Sequence, residues 1–261
     1  MSFLVAFLVA CTPQEPEDVR GTAPGEPTTP TPIATDSGAA VTCSDGPAFP
    51  DAWAGALDPD QVTDTPYDFE AGIGDILDAA PESGSQSIDI KVTDAVVANF
   101  TEYSGSIDQL WLADAGGGLQ TYGVDINLTA DDVAPGDRVS FTATEITTYY
   151  GLPELTGLTD LTVTTKGGPV YVVNGNTTAV TLDEHLNENI RGFGELVTAP
   201  ESCGGSSVCA DLAFGDNVAV LRYAEALGFD EGDCIDVLAP LNIFSYAEQI
   251  NIDNNDWVSV Y

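Results

Sequence analysis

The feature that most limits what this chain can fold into is a hydrophobic period of two that begins at Ser87 and recurs almost to the C-terminus. Ile88, Ile90 and Val92 alternate with Asp89, Lys91 and Thr93, which gives an extended strand one apolar face and one polar face. Leu110 and Leu112 flank Trp111, and Val139, Phe141 and Ala143 alternate with Ser140, Thr142 and Thr144. The run Gly116-Gly117-Gly118 separates the Trp111 strand from residues 119–124 and predicts a hairpin. Further β-rich runs stand at 161–165 and 170–173.

The C-terminal third repeats this order. A strand is expected at 190–197, a pair at 210–214 and 218–223 across Gly215-Asp216-Asn217, and later strands at 234–238 and 257–260. Gly136-Asp137-Arg138-Val139 matches Gly232-Asp233-Cys234-Ile235 ninety-six residues later, and Tyr150 with Tyr246 and Asp160 with Asp256 fall on the same offset. Self-similarity of this kind points to two copies of one strand-rich unit.

Two segments carry a resemblance. Ala134-Pro135-Gly136-Asp137-Arg138-Val139 resembles the Gly-Asp turn before the fourth strand of OB-type domains, and Tyr149-Tyr150-Gly151-Leu152-Pro153-Glu154-Leu155 is similar to a segment of the OB domains attached to some secreted bacterial nucleases and found in bacterial lipoproteins. It covers 83–173 and, more weakly, 180–261; nothing of the nuclease catalytic domain is present. The resemblance implies an all-β chain with two five-stranded Greek-key barrels in tandem. The expected division is OB-like domain 1 over 83–175 and OB-like domain 2 over 176–261.

Ahead of the barrels, 51–82 reads as an irregular lead-in with one short helix at about 69–79. Residues 12–50 are rich in Pro, Thr, Glu, Gly and Ser, a composition that buries too little apolar surface to offset the entropy of ordering, so a disordered tether is expected. Before that, Phe3 to Ala10 is an apolar run that ends in Leu8-Val9-Ala10-Cys11. These four residues resemble the lipobox of bacterial lipoproteins, which implies a signal remnant over 1–11 and a lipid on Cys11. No Lys or Arg precedes Arg20, as would follow from a start codon upstream of Met1; a buried first strand is the alternative. Ten apolar residues are too few to span a bilayer, which takes about 20. Thr12 stands where inner-membrane retention is associated with Asp, so the resemblance implies an outer-membrane lipoprotein facing the periplasm or the cell surface. Its partners would be the membrane, through the lipid, and another envelope protein or a surface polymer.

The chain carries 42 acidic and six basic residues, a formal charge of −36. Nucleic-acid backbones are bound by Lys and Arg displacing counterions, so unassisted nucleic-acid binding is disfavoured. With Cys11 set aside, four cysteines remain, an even number that suits disulfides in an oxidising compartment. Cys203 and Cys209 enclose a glycine- and serine-rich loop and are the natural pair, which leaves Cys43 with Cys234; four cysteines allow three pairings. Zinc is the poorer reading, since there is no C-x-x-C and His185 is the sole histidine.

OB barrels bind ligands on the outward face of their second and third strands. If Leu110 and Leu112 point inward, Trp111 points out. By the same parity Gln120, Tyr122, Lys91 and Arg138 face outward, and Lys91, Trp111, Tyr122 and Arg138 form the candidate ligand platform. The alternative is that Trp111 and Tyr122 pack under a loop or against the second domain. Ala213 and Ala219 stand at the analogous outward positions of the second copy. His185 is expected to be solvated. Calcium has only weak support from Asp131-Asp132 and from Asp253-Asn254-Asn255-Asp256; no other cofactor is expected. With no nucleophile–base pairing and no G-x-S-x-G elbow, no enzyme is expected. The leading function is a non-enzymatic binding or scaffolding module, and the alternative an accessory protein that binds single-stranded nucleic acid or glycan through the strand 2–3 face of the first domain.

Overall fold

The computed structural model describes Cys43 and residues 57–204, 207–244, 247–252 and 258–260. Cys11, the 12–50 segment apart from Cys43, and the positions Tyr246, Trp257 and 253–256 lie outside these residues. In chain order, β1 (Val62–Thr63) and a short helix α1 (Ile73–Asp78) lead into β2 (Gly84–Tyr103), β3 (Ser106–Asp114), β4 (Gly117–Thr121), β5 (Arg138–Tyr149) and β6 (Leu152–Thr165). β2 to β6 close a barrel in the order β2-β3-β4-β6-β5, with β4 and β6 parallel and the other neighbours antiparallel. β5 shows why the alternation works: Val139, Phe141, Ala143 and Ile146 are all in the core, while Ser140, Thr142 and Thr144 lie between them, less buried. β2 serves two partners because it is bulged, with register shifts after Ser87 and Val92 that bend it from β5 towards β3.

The second half runs β7 (Val170–Asn174), α2 (Leu182–His185), β8 (Asn189–Leu196), β9 (Glu201–Gly204), β10 (Ser207–Phe214), β11 (Asn217–Ala224), β12 (Cys234–Phe244), β13 (Ala247–Asn251) and β14 (Val258–Val260). β8 pairs β10 and β12, β10 pairs β11, β11 runs parallel to β13, and β13 pairs β12. That ring is β8-β10-β11-β13-β12, the connectivity of the first barrel repeated. β7 joins this second sheet, parallel to β8 and β1, although the sequence groups 170–175 with the first unit. Its side chains decide the matter, since Val170 and Val172 bury with Leu57 and Leu238, and Val173 enters the second core.

The Gly-Asp match is structural. Gly136 N–H donates to Val97 O at 2.8 Å and Gly232 N–H to Leu196 O at 2.8 Å. Val97 N–H donates to Asp137 O at 2.8 Å, and Leu196 N–H to Asp233 O at 2.9 Å. The Asp137 carboxylate takes Ala134 N–H at 2.9 Å and that of Asp233 takes Asp230 N–H at 2.8 Å. Both glycines hold positive φ, 88° and 95°, which suits a residue without Cβ. In both barrels this turn ties the first strand to the start of the fourth.

Two sequence expectations change here. α1 is confined to Ile73–Asp78 because the chain before it is pinned: the Asp114 carboxylate Oδ2 accepts N–H from Ala71, Gly72 and Ile73 at 2.6, 2.9 and 3.0 Å. The glycine run is also more than a turn. The hairpin itself is Ala115-Gly116, closed by Asp114 opposite Gly117. A Cβ on Gly116 would stand 2.7 Å from Gly74, and one on Gly118 2.6 Å from the Asn187 backbone, so these glycines admit α1 and the second domain. Disulfides join Cys43 to Cys234 and Cys203 to Cys209, with Cα atoms 5.5 and 5.7 Å apart.

Candidate ligand-binding cleft between the barrels

Trp111 leaves the barrel 1 core as its parity requires, but it does not reach open solvent. It is 3 % exposed and packs with Ala98, Ala113 and Tyr67. Tyr67 OH accepts Tyr171 N–H at 2.9 Å, which ties this patch to β7. Burial pushes the Tyr67 hydroxyl up to about 12. The outward face of β3 and β4 is therefore mostly an inter-barrel surface. Asn189 Nδ2 donates to Ala98 O across it at 2.9 Å.

What remains open is a cleft of about 460 Å³. Its barrel 1 wall is a row across three strands. Trp111 on β3 stands opposite Gln120 on β4, and Gln120 stands beside Glu154 on β6. Gln120 Nε2 donates to Glu154 Oε1 at 2.9 Å. The other wall carries Asn242 on β12 opposite Gln249 on β13. Asn242 Nδ2 donates to Gln120 Oε1 at 2.9 Å and joins the two rows. Gln109, Arg222 and Asn251 add polar lining, and Tyr122 and Tyr149 form an aromatic rim, 54 % and 59 % exposed. Tyr150 meets Tyr149 edge-on at 4.5 Å.

Burial pushes the Glu154 carboxyl above its ordinary range, and the Gln120 hydrogen bond pulls it part of the way back. Two buried groups on the walls, Trp111 Nε1 and Gln249 Oε1, have no hydrogen-bond partner among the described residues. A buried donor or acceptor left unpaired costs about 1–3 kcal/mol, so such atoms mark places where a bound molecule or water completes the network.

Of the four platform residues, the structure brings only Trp111 and Tyr122 together. Lys91 sits exposed on β2, opposite Thr142 of β5. Arg138, at the start of β5, has its guanidinium carbon 4.2 Å from the centre of the Phe69 ring. Neither lines the cleft, because the lead-in chain lies over Arg138 and the cleft is built on β3, β4 and β6. Gln109, Gln120 and Glu154 were absent from that platform although they share its parity. Their polar character gave no signal without knowledge of the second wall.

The analogous positions in barrel 2 also need correcting. Ala219 belongs to the second core, and the pair that replaces Trp111 and Gln120 is Asp211 opposite Val220. His185 is covered rather than solvated: its side chain is 11 % exposed and Nδ1 lies 3.0 Å from Glu188 Oε2. Asp132 spends its carboxylate on the Thr129 N–H and hydroxyl at 3.0 and 2.9 Å, the backbone bond first among the causes that hold it below its ordinary range. Among the described residues no three His, Cys, Asp or Glu side chains converge on a metal position.

No family model matches the chain, and no curated protein matches it. Among solved structures, the chain is similar to the p204 HINb domain, with 10% identity over 69% of this chain and 99% of that one and a TM-score of 0.32. A tetrameric p202 HIN2 structure gives 13% identity, 69% and 96% coverage and a TM-score of 0.33. An Ifi202 HINa domain in complex with 20bp dsDNA gives 10%, 68% and 98%, with 0.32. Likeness this distant says nothing about a ligand; the OB-like reading rests on the strand order of the two barrels.

Proposed function

We propose that this chain is a lipid-anchored envelope protein that works without turnover, as a binding module whose ligand seat is the cleft between its two barrels. The observation that carries the reading is the pair of unpartnered buried groups, Trp111 Nε1 and Gln249 Oε1, on the walls of an open cleft rimmed by exposed tyrosines. Small-ligand sites are concave hollows of a few hundred Å³ with placed polar groups and aromatic side chains; this cleft has that size, an aromatic rim and a more polar lining than most. Two disulfides support an extracytoplasmic setting. The anchor on Cys11, outward from the periplasmic or surface side of an outer membrane, follows from the lipobox resemblance. An envelope polymer or a second envelope protein is the partner class, and unassisted nucleic acid is disfavoured by the charge of −36.

Tryptophan fluorescence of the full chain in detergent, titrated with envelope polysaccharide fractions, tests the seat. The signal should change on binding, the change should vanish in Trp111→Phe, and Tyr122→Ala should weaken binding. A titration that the Tyr122→Ala, Tyr149→Ala double variant leaves unaltered overturns the cleft as the seat. Intact-mass analysis of membrane-extracted protein should find a diacylglycerol on Cys11, and an unmodified Cys11 removes the anchor.

A further inference from the structure

The cleft does not end at Tyr122. A second hollow of about 450 Å³ lies on the far side of that residue, lined by Ser106, Ile107, Asp108, Asp125 and Asn127, with Gln109 and Tyr122 shared between the two. Tyr122 is 54 % exposed, follows the last residue of β4 and, with Gln109, lines both hollows, so the two adjoin at this residue. A compact ligand fills one hollow. A chain can cross Tyr122 and occupy both.

The lining chemistry narrows the class. The first hollow is lined by the amides of Gln109, Gln249 and Asn251, by the Gln120–Asn242 pair, whose amides already bond Glu154 and each other, and by one buried carboxyl, Glu154; Arg222 is its single cation. The second adds Asp108 and Asp125 with no cation. Acids repel anions, and at a charge of −36 no screening surface of Lys and Arg is available to hold a phosphate or uronate backbone. Amides carry a donor and an acceptor side by side, which matches neighbouring hydroxyls that can both give and take a proton. A ring with an apolar face would lie on the exposed Tyr122. Resting on the cleft as the ligand seat, we infer that the ligand is an uncharged glycan chain of several sugar units, lying across both hollows with Tyr122 beneath its middle.

The test is a titration of the full chain with uncharged oligosaccharides from an array of neutral glycans, each as dimer and hexamer, beside a single-stranded oligothymidine and a hyaluronan hexamer. A neutral hexamer should bind about tenfold tighter than its dimer, since stacking on one further aromatic ring is worth about that factor. Tyr122→Ala should reduce the hexamer to the affinity of the dimer, and Lys91→Ala, outside both hollows, should leave it unaltered. Equal affinities for dimer and hexamer overturn the two-hollow seat. Binding confined to oligothymidine or hyaluronan, and lost in Tyr122→Ala, overturns the assignment to an uncharged glycan while the cleft stands. Failure of every probe to bind, or binding indifferent to Tyr122→Ala and Gln249→Leu alike, overturns both.

Discussion

The two barrels share a strand order, a two-residue hairpin and a Gly-Asp turn with the same hydrogen bonds, yet they are held together by different means. Barrel 1 closes around an apolar core capped by Ile73 and Ile76 of α1, and the described residues place no disulfide within it. Barrel 2 carries the Cys203–Cys209 bridge on its edge, receives Cys43 at the first residue of β12, and buries an ion pair. Arg191 Nε and Nη2 donate to the two Asp236 oxygens at 2.9 Å each, with side chains 3 % and 2 % exposed. The comparison teaches that one connectivity tolerates very different internal chemistry, provided the turn that links first and fourth strands is kept.

The covalent difference gives the largest expected effect. The Cys43–Cys234 bridge encloses 191 residues of sequence separation and so spans all of barrel 1, whereas Cys203–Cys209 encloses six. On loop-closure entropy alone the long bridge is worth about 5 kcal/mol and the short one about 2 kcal/mol. Denaturant midpoints should fall much further for the Cys43→Ser, Cys234→Ser pair than for Cys203→Ser, Cys209→Ser. Equal losses would mean that the long bridge ties down only its own strand.

Next comes the ion pair. Burial pushes the Asp236 carboxyl up and Arg191 pulls it back, so without its partner this carboxyl stands in a poor place for a charge. Arg191→Met should cost about 3–5 kcal/mol, the range for removing one member of a buried pair. Replacing both, Arg191→Met with Asp236→Leu, should recover most of that, as read by thermal unfolding. If the double variant is no better than the single, the pair holds barrel 2 through more than its charge.

The nearest barrel 1 counterpart is Asp114. Its Oδ2 takes three backbone N–H groups at the start of α1, and its Oδ1 takes Gly116 N–H at 2.6 Å. Asp114→Asn replaces one acceptor oxygen with a donor that faces those N–H groups, and should cost about 2–3 kcal/mol. Amide exchange should rise first at Ala71, Gly72 and Ile73. A uniform rise across barrel 2 as well would show that the two barrels unfold as one unit.

How far the sequence foretold this can be judged residue by residue. The alternation in β5 and the Gly-Asp pair were readable because each is a local constraint: pleat parity in one case, a positive-φ turn in the other. The direction of Trp111 was readable for the same reason, but its fate was not, because its cover comes from Tyr67 and from a neighbouring barrel. Ala219 was misplaced because on β11 the larger Val218 and Val220 take the outward parity and Ala219 the inward one, against what apolar size suggests; the two copies are also not in one register throughout. The hairpins match Asp114 to Phe214 and Gly117 to Asn217, an offset of one hundred, while the Gly-Asp turns match at ninety-six. Barrel 2 has thus lost four residues between hairpin and turn, and one offset cannot align both. Lys91 and Arg138 shared the parity of Trp111, yet parity places a side chain on a face and leaves open which part of the barrel circumference it occupies.

The smallest effect concerns the cleft itself. In the parallel ladder of barrel 1, Glu154 lies beside Gln120; in that of barrel 2, Gln249 lies beside Val220. Glu154→Gln therefore gives barrel 1 the residue type that barrel 2 carries in the same place. Burial holds the folded-state Glu154 above its ordinary value of 4.5, so folding favours the protonated form. Below that ordinary value the group is protonated in both folded and unfolded chains and brings no penalty. As pH rises through 4.5 the unfolded chain ionises first, and stability falls until the folded carboxyl ionises too; above that point the loss is constant. The variant lacks this slope and keeps an acceptor for Gln120 Nε2. Unfolding midpoints of the two proteins should differ least near pH 4 and most near pH 8, with the variant the more stable there by less than about 1 kcal/mol. A gap that widens towards acid instead would mean that Glu154 is held ionised, and that the Gln120 and Asn242 row is organised around a negative charge.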